Sequence, residues 1–372
     1  MSKSSGLRCT AQKLSAVDTV LPLTRRGVIA LALQVAALGV AGGALSRRAG
    51  AQQAGGGPAT LGLAPPLPAT PGTRLVLLGT RGGPGVDLAH AQTASAIVVD
   101  GTPYLIDCGY GAVRQLVASN VGYQHLNSVF FTHLHDDHTA DLGALLSFQW
   151  TNSKPTPTEL YGPAGTAALV DAAVAFISAN AEIRGVDEGR PTRPAALYHG
   201  HDVPASDNVV QVYKDDRVAV TAIQNAHYPA RSTARMSHRS LALRFDSKDR
   251  SVVFSGDTAY SENLIKLARG ADVLVCEIMD QSIHDQMQSR AQAEAAAGHP
   301  DNIFRHVAET HSAPGDVARM ATQAQVKLVV LNHQLPAATQ PGGLAYPVTT
   351  FIDGVRRGYA GEVIVGQDLM VL

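Results

Sequence analysis

An α/β fold is predicted for residues 73–372 by three observations. Apolar runs of strand length alternate with longer amphipathic stretches from Arg74 onward, which argues against an all-β arrangement. The composition, 45% hydrophobic and 16% charged over 372 residues, is that of an ordinary globular chain. Three cysteines are too few for a disulfide framework: Cys9 lies in a leader, and Cys108 and Cys276 each end an apolar run and read as buried free thiols.

In chain order, the first element is an address. Thr24-Arg25-Arg26-Gly27 precedes an uncharged Ala/Gly/Val/Leu stretch, Val28 to Leu45, and then Ser46-Arg47-Arg48-Ala49-Gly50-Ala51. A charged region, an apolar region and a small-residue cleavage site make residues 1–51 a secretory signal peptide, and the paired arginines make it resemble the twin-arginine type. Export through that machinery to the periplasm or medium is expected, with contact to a membrane only through an uncleaved signal. Residues 52–72, dominated by Ala, Gly, Pro and Thr, read as a linker. The remainder, 73–372, is read as one domain of about 300 residues.

Strands are predicted at Leu75–Leu78, Ala96–Val99, Tyr104–Asp107, Ser128–Thr132, Val218–Ile223, Ser240–Phe245, Ser251–Ser255, Val273–Cys276, Leu328–Leu331 and Val363–Val365. Helices are predicted at Gly111–Ser119, Ala140–Gln149, Ala164–Ala179, Ser261–Ala268, Ile283–Ala297 and Gly315–Gln325. The run Gly79-Thr80-Arg81-Gly82-Gly83-Pro84-Gly85 lacks the lysine and following helix of a P-loop, and reads as a turn whose backbone borders a pocket.

Chemistry concentrates in Phe130-Phe131-Thr132-His133-Leu134-His135-Asp136-Asp137-His138, three His and two Asp in six positions directly after a strand. Imidazole and carboxylate are zinc's ordinary non-thiolate ligands. Strand alternation places His133 and His135 on one side, while Asp137 and His138 begin the next turn and reach a neighbouring ion, the spacing of a two-metal cluster.

His133-x-His135-x-Asp137-His138 after Phe-Phe-Thr resembles the signature of the metallo-β-lactamase superfamily. That resemblance implies an αββα sandwich with metals at one edge between its sheets. Further segments match in the family's order: a strand ending at His227, Ser255-Gly256-Asp257-Thr258 after a strand, and Leu331-Asn332-His333 after another. The resemblance implies two divalent ions, Zn being the first choice over Mn or Fe. His133, His135 and His227 would hold one, Asp137, His138 and His333 the other, and Asp257 would bridge them. His238 and His311 are rivals in sequence for His227 and His333.

Gly256-Asp257-Thr258, Leu77-Leu78-Gly79-Thr80 and Leu105-Ile106-Asp107-Cys108-Gly109 are similar to ribonuclease Z and to exported arylsulfatase-like hydrolases. His311-Ser312-Ala313-Pro314 stands where those relatives carry a His-Ser-Thr segment. This makes His311 the implied proton donor, with Ser312 or Asp316 also available to cap a helix. Where ribonuclease Z has His-Glu-Ala-Thr, this chain has Cys276-Glu277-Ile278-Met279, so Glu277 is kept to orient His311. Residues Asp280–Thr310 read as an insertion over the site.

The implied reaction is hydrolysis by a hydroxide bridging the metals, oriented by Asp137 or Asp257. The first 51 residues hold seven basic residues and one acid, which leaves 23 basic and 30 acidic residues beyond them. Glu159–His199 carries three arginines and no lysine. With that acidic balance and an exported address, the expected partner is a small-molecule ester, with an aryl sulfate first, and no nucleic acid. Open alternatives are a ribonuclease Z-like phosphodiesterase or 3′-tRNA endonuclease, a lactone or β-lactam hydrolase, and a non-catalytic metal-binding protein.

Overall fold

The computed structural model describes residues 70–372 except 191–192 and 338–344; the signal peptide expected over 1–51 and nearly all of the expected linker lie outside the described residues. The chain runs β1 (Thr73–Gly79), β2 (Ala94–Val99), β3 (Thr102–Ile106), α1 (Ala112–Ala118), β4 (Ser128–Phe130), α2 (Asp136–Thr139), α3 (Leu142–Thr151) and β5 (Thr158–Pro163). It continues through α4 (Thr166–Phe176), α5 (Ser178–Asp187), β6 (Tyr198–Val203), β7 (Val210–Lys214), β8 (Val218–Gln224), α6 (Ala230–Thr233), β9 (Leu241–Ser247), β10 (Ser251–Phe254) and α7 (Glu262–Ala268). The last part is β11 (Val273–Met279), α8 (Gln281–Ala296), α9 (Ile303–Thr310), α10 (Pro314–Ala324), β12 (Leu328–Leu335), α11 (Thr349–Arg356) and β13 (Glu362–Val365).

Successive strand residues point to opposite faces, so a strand buried on both faces reads as a continuous apolar run. In β1, Leu75 and Leu77 face inward while Val76 and Leu78 face the helices; β10 divides Val252 and Phe254 from Val253 in the same way. The strands form two sheets in the orders β1-β2-β3-β4-β5-β6 and β13-β12-β11-β10-β9-β8-β7. Between them lies a core that includes Leu75, Tyr104, Phe130, Phe245, Phe254 and Val330. Helices α1, α3 and α4 cover the outer face of the first sheet, and α7, α10 and α11 that of the second. The αββα sandwich implied by the resemblance is the observed architecture.

Several helix ends are set by their side chains. Ser261 caps α7 by accepting from the Leu264 amide, and Asn302 caps α9 by accepting from that of Arg305. Ser312 does not cap α10, contrary to one sequence expectation: α10 starts with Pro314 in its first turn, and the Ser312 hydroxyl donates to the Thr258 carbonyl at 2.5 Å.

The predicted helix 164–179 is instead two helices bent by 46° at Ile177. Ile177 leaves helical geometry at φ −89°, ψ 0°, and its side chain is buried in the core beneath α4. Strands β5, β6 and β7 were not predicted. β5 ends in Gly-Pro, and β6 alternates polar and apolar residues at the edge of its sheet, so pairing with neighbours rather than local composition makes them strands.

Candidate dinuclear metal centre

The site lies where β3, β4, β8, β10, β11 and β12 end. β4 leads through Phe131 and Thr132 into the extended residue His135, after which α2 turns Asp137 and His138 inward. Asp257 follows β10, and Gly256, at φ 57°, allows the chain to turn between them. In β12 the pairing with β11 slips at His333, whose φ of 41° marks a bulge that aims the imidazole at the site instead of along the ladder.

All seven sequence-selected ligands converge. His133 Nε2 lies 3.1 Å from His135 Nδ1, which lies 3.2 Å from His227 Nε2. Donors around a tetrahedral ion with Zn–N bonds of 2.0–2.1 Å stand about 3.3 Å apart, so this triad has the spacing of a cation cage. A second group places His333 Nε2 at 3.1 Å from Asp137 Oδ2 and from Asp257 Oδ2. His138 Nε2 is 3.3 Å from Asp257 Oδ1. Asp257 Oδ2 is also 3.8 Å from His133 Nε2, which sets this carboxylate between the two groups. The rivals separate: His238 Nδ1 donates to the Ala164 carbonyl at 3.0 Å, and His311 pairs with Glu277 next to both groups, its ring 5.2 Å from that of His227 and 5.6 Å from that of His333.

The donor chemistry fits a pair of cations. Burial pushes His133, His135 and His227 below the ordinary imidazole range, leaving their lone pairs free. Burial alone would raise Asp137 and Asp257, but neighbouring imidazoles, His138 for Asp137 and His333 for Asp257, outweigh it and keep both anionic. His138 Nε2 and Asp257 Oδ1 face each other at 3.3 Å, buried and without a well-formed hydrogen bond, an expensive arrangement that a coordinated cation would relieve. The glycine loop after β1 closes the cage from above. The Gly83 amide donates to Asp137 Oδ2 at 2.8 Å, and a Cβ at Gly83 would stand 2.4 Å from that same carboxylate oxygen.

Asp107 follows β3 directly and supports the site from behind His138. It accepts from the Thr132 amide at 2.8 Å and pairs with His138 Nδ1 at 2.9 Å, so it sets the tautomer that leaves Nε2 facing the cage. Asp107→Asn is expected to weaken metal affinity about 10- to 100-fold. Chelator competition measures this, and an unchanged affinity would show that the pairing is incidental.

Glu277 and His311 stand together beside the second group, with His311 Nδ1 2.6 Å from Glu277 Oε2 and 4.0 Å from Asp257 Oδ2. Burial alone would lower His311, but the Glu277 carboxylate outweighs it and His311 is pushed up to about 9. The other Glu277 oxygen accepts from the Thr258 amide, which fixes the carboxylate in place. A cavity of about 220 Å³ opens over these groups, lined by His135, Asp257, His311 and His333 and by Ile303 and His306 of α9. The expected insertion thus folds as the α8–α9 hairpin. It brings in His306, which the sequence did not single out, 5.6 Å from His135 and 5.1 Å from His227 between ring centres.

Residues 102–334 match the beta-lactamase superfamily domain. The chain belongs to the metallo-β-lactamase superfamily. Ribonuclease Z of Mycobacterium bovis is 29% identical to it over 301 residues, covering 79% of this chain and 96% of the relative. Among solved structures, the short form of human tRNase Z superposes with a TM-score of 0.55 at 21% identity, covering 80% of this chain and 98% of that one. Zn(2+)-bound PqqB from Methylobacterium extorquens does so at 0.52 and 16%, covering 80% and 99%. These two likenesses bear on the fold alone, which is that of a metallo-β-lactamase hydrolase.

The relationship to a ribonuclease corrects one expectation, that the partner is a small-molecule ester and no nucleic acid. Net charge is a sum over the whole surface and says little about a local groove. The lysine-free segment 159–199 folds as β5, α4, α5 and the start of β6, whereas Arg231, Arg235 and Arg305 gather on α6, the turn after it and α9, beside the cavity.

Proposed function

We propose that this metallo-β-lactamase superfamily member is a phosphodiesterase of the ribonuclease Z kind whose substrate is an RNA phosphodiester. The observation that carries the reading is the Glu277–His311 pair at 2.6 Å, directed at the edge of a two-cation cage. When bound, a pair of divalent cations, with Zn the choice suited to imidazole and carboxylate donors, supplies Lewis acidity and water activated near neutral pH.

The chain's own residues do the rest. His133, His135 and His227 would hold one ion and Asp137, His138 and His333 the other, with Asp257 facing both groups. Asp107 orients His138, and the Gly83 amide restrains Asp137. His311, kept cationic by Glu277, holds a proton at Nε2 for the leaving oxygen. The relationship to ribonuclease Z, which extends over 96% of that relative, favours phosphorus over sulfur or carbonyl as the reacting centre.

The metal-loaded protein should be assayed on the dinucleotide UpU, an RNA with a 3′ extension, bis(p-nitrophenyl) phosphate, p-nitrophenyl sulfate, a lactone and a β-lactam. Phosphodiester turnover is expected to exceed sulfate ester turnover at least about 100-fold, roughly 2.7 kcal/mol of barrier. Preference for the sulfate, lactone or β-lactam would end the reading. We also read Arg25-Arg26 and the apolar stretch after it as a twin-arginine leader. Amino-terminal sequencing of the periplasmic fraction tests that, a start beyond Ala51 being the expected result.

A further inference from the structure

A second groove, of about 310 Å³, adjoins the reaction cavity and shares one wall with it, His306. Its other lining residues include Arg231 and Arg235, and Asp301 and Asn302 at the start of α9. Three guanidinium groups meet two carboxylates around it. Arg235 donates to Asp301 at 3.0 Å, Arg305 to Glu309 at 2.8 Å, and Arg231 bonds Glu309 and lies 3.8 Å from Asp301. One positive charge is therefore left uncompensated, and it matches the single charge of a phosphodiester. Arg231 is pinned between two acids. Arg235 has one partner and 75% of its side chain in solvent, so it can turn to a ligand without breaking a buried pair. The α8–α9 hairpin is tied to α6 and the residues after it by these same pairs, which holds the groove wall in register with the metal cage.

We propose that this groove is a subsite for the phosphate that flanks the scissile one, gripped by Arg235 and by an imidazole N–H of His306. The proposal rests on the phosphodiesterase reading. A linear polyanion with one phosphate in the metal cavity must run its next backbone unit out through a wall, and the wall that continues into a cationic groove is the one built by His306. Arg and an imidazole N–H both donate to phosphate oxygens, and a hydrogen bond lost from such a charged contact costs about 10- to 100-fold in binding. The subsite recognises backbone and not base, which suits cleavage of RNA at a site chosen by shape.

The test compares UpU with pUpUp, which carries terminal phosphates beside the scissile one. The wild-type protein is expected to prefer pUpUp in kcat/KM, mainly through KM, and to lose that preference as salt rises. Arg235→Ala and His306→Ala should each lower the preference ratio about 10- to 100-fold with bound metal unchanged, and Arg235→Lys should restore part of it. Calorimetric titration supplies a readout apart from turnover: uridine 3′,5′-bisphosphate should bind the wild type at least tenfold more tightly than uridine 5′-monophosphate, and the alanine variants should not distinguish them. A ratio unmoved by both substitutions overturns the subsite while leaving the phosphodiesterase reading intact. Failure to cleave the dinucleotides, the 3′-extended RNA and bis(p-nitrophenyl) phosphate alike overturns that reading, and the subsite is then decided by titration, equal affinity for the two uridine phosphates refuting it. Loss of metal in His306→Ala would instead make His306 a ligand and also refute the assignment.

Discussion

Asp257→Ala is expected to reduce bound metal from two ions toward none and to lower phosphodiester turnover by at least about 10³-fold. Among the described residues Asp257 is the one carboxylate near both donor groups, 3.1 Å from His333 Nε2, 3.3 Å from His138 Nε2 and 3.8 Å from His133 Nε2. Its removal leaves Asp137 as the one carboxylate among the remaining six donors, so the charge of a bound pair of cations would be offset far less. Three buried imidazoles also lose the anion they face, and the cage loses its affinity before the fold loses its core. Elemental analysis of the dialysed variant is the direct measurement. Retention of two ions per chain would mean that Asp257 is not shared between them. A far-ultraviolet spectrum like the wild type's is needed alongside, since the core between the sheets does not include this residue.

His311→Ala should behave in the opposite way toward metal. Turnover falls about 10²- to 10⁴-fold, the usual contribution of a positioned general acid, while both ions stay bound. The pH profile carries the more specific signature. His311 is pushed up to about 9 by Glu277, so its acid form persists through neutral pH, and kcat should decline only as pH rises through about 9 and the proton is lost. In Glu277→Gln the carboxylate that raises His311 is gone, and that alkaline limb should move toward lower pH, along with a drop in kcat. Loss of metal in His311→Ala, or a limb that does not move in Glu277→Gln, would remove His311 from its role as proton donor.

Much of the centre is legible in the chain because its ligands come in short segments that directly follow buried strands. A strand with both faces buried is an apolar run, and a polar residue that breaks the run at its end is conspicuous, as His133, His227, Asp257 and His333 all are. Asp107 is visible for the same reason, but its partner His138 is 31 residues away and nothing local reports the pairing. His306 was harder still. It sits on a helix of the α8–α9 hairpin with ordinary polar neighbours, and only the docking of that hairpin over the cavity sets it against His135 and His227.

Charge was the place where the linear reading went astray. The balance of acids and bases beyond residue 51 pointed away from a nucleic-acid partner, whereas Arg231 on α6, Arg235 just after it and Arg305 on α9 are brought together beside the cavity. The Coulomb field at a groove depends on the charges within a screening length of about 10 Å, and summation along the chain does not reveal which ones those are.

From its sequence alone this protein has its α/β class, the order of its ligand segments and the donor types that select a pair of divalent cations, because backbone periodicity and ligand chemistry are local properties. Tertiary structure decided what is relational: which imidazoles cluster, that Glu277 holds His311, that β12 bulges at His333, and that a groove with more arginines than acids opens beside the cage. Those depend on contacts between residues far apart in the chain, and their energies exist only once the two sheets have packed.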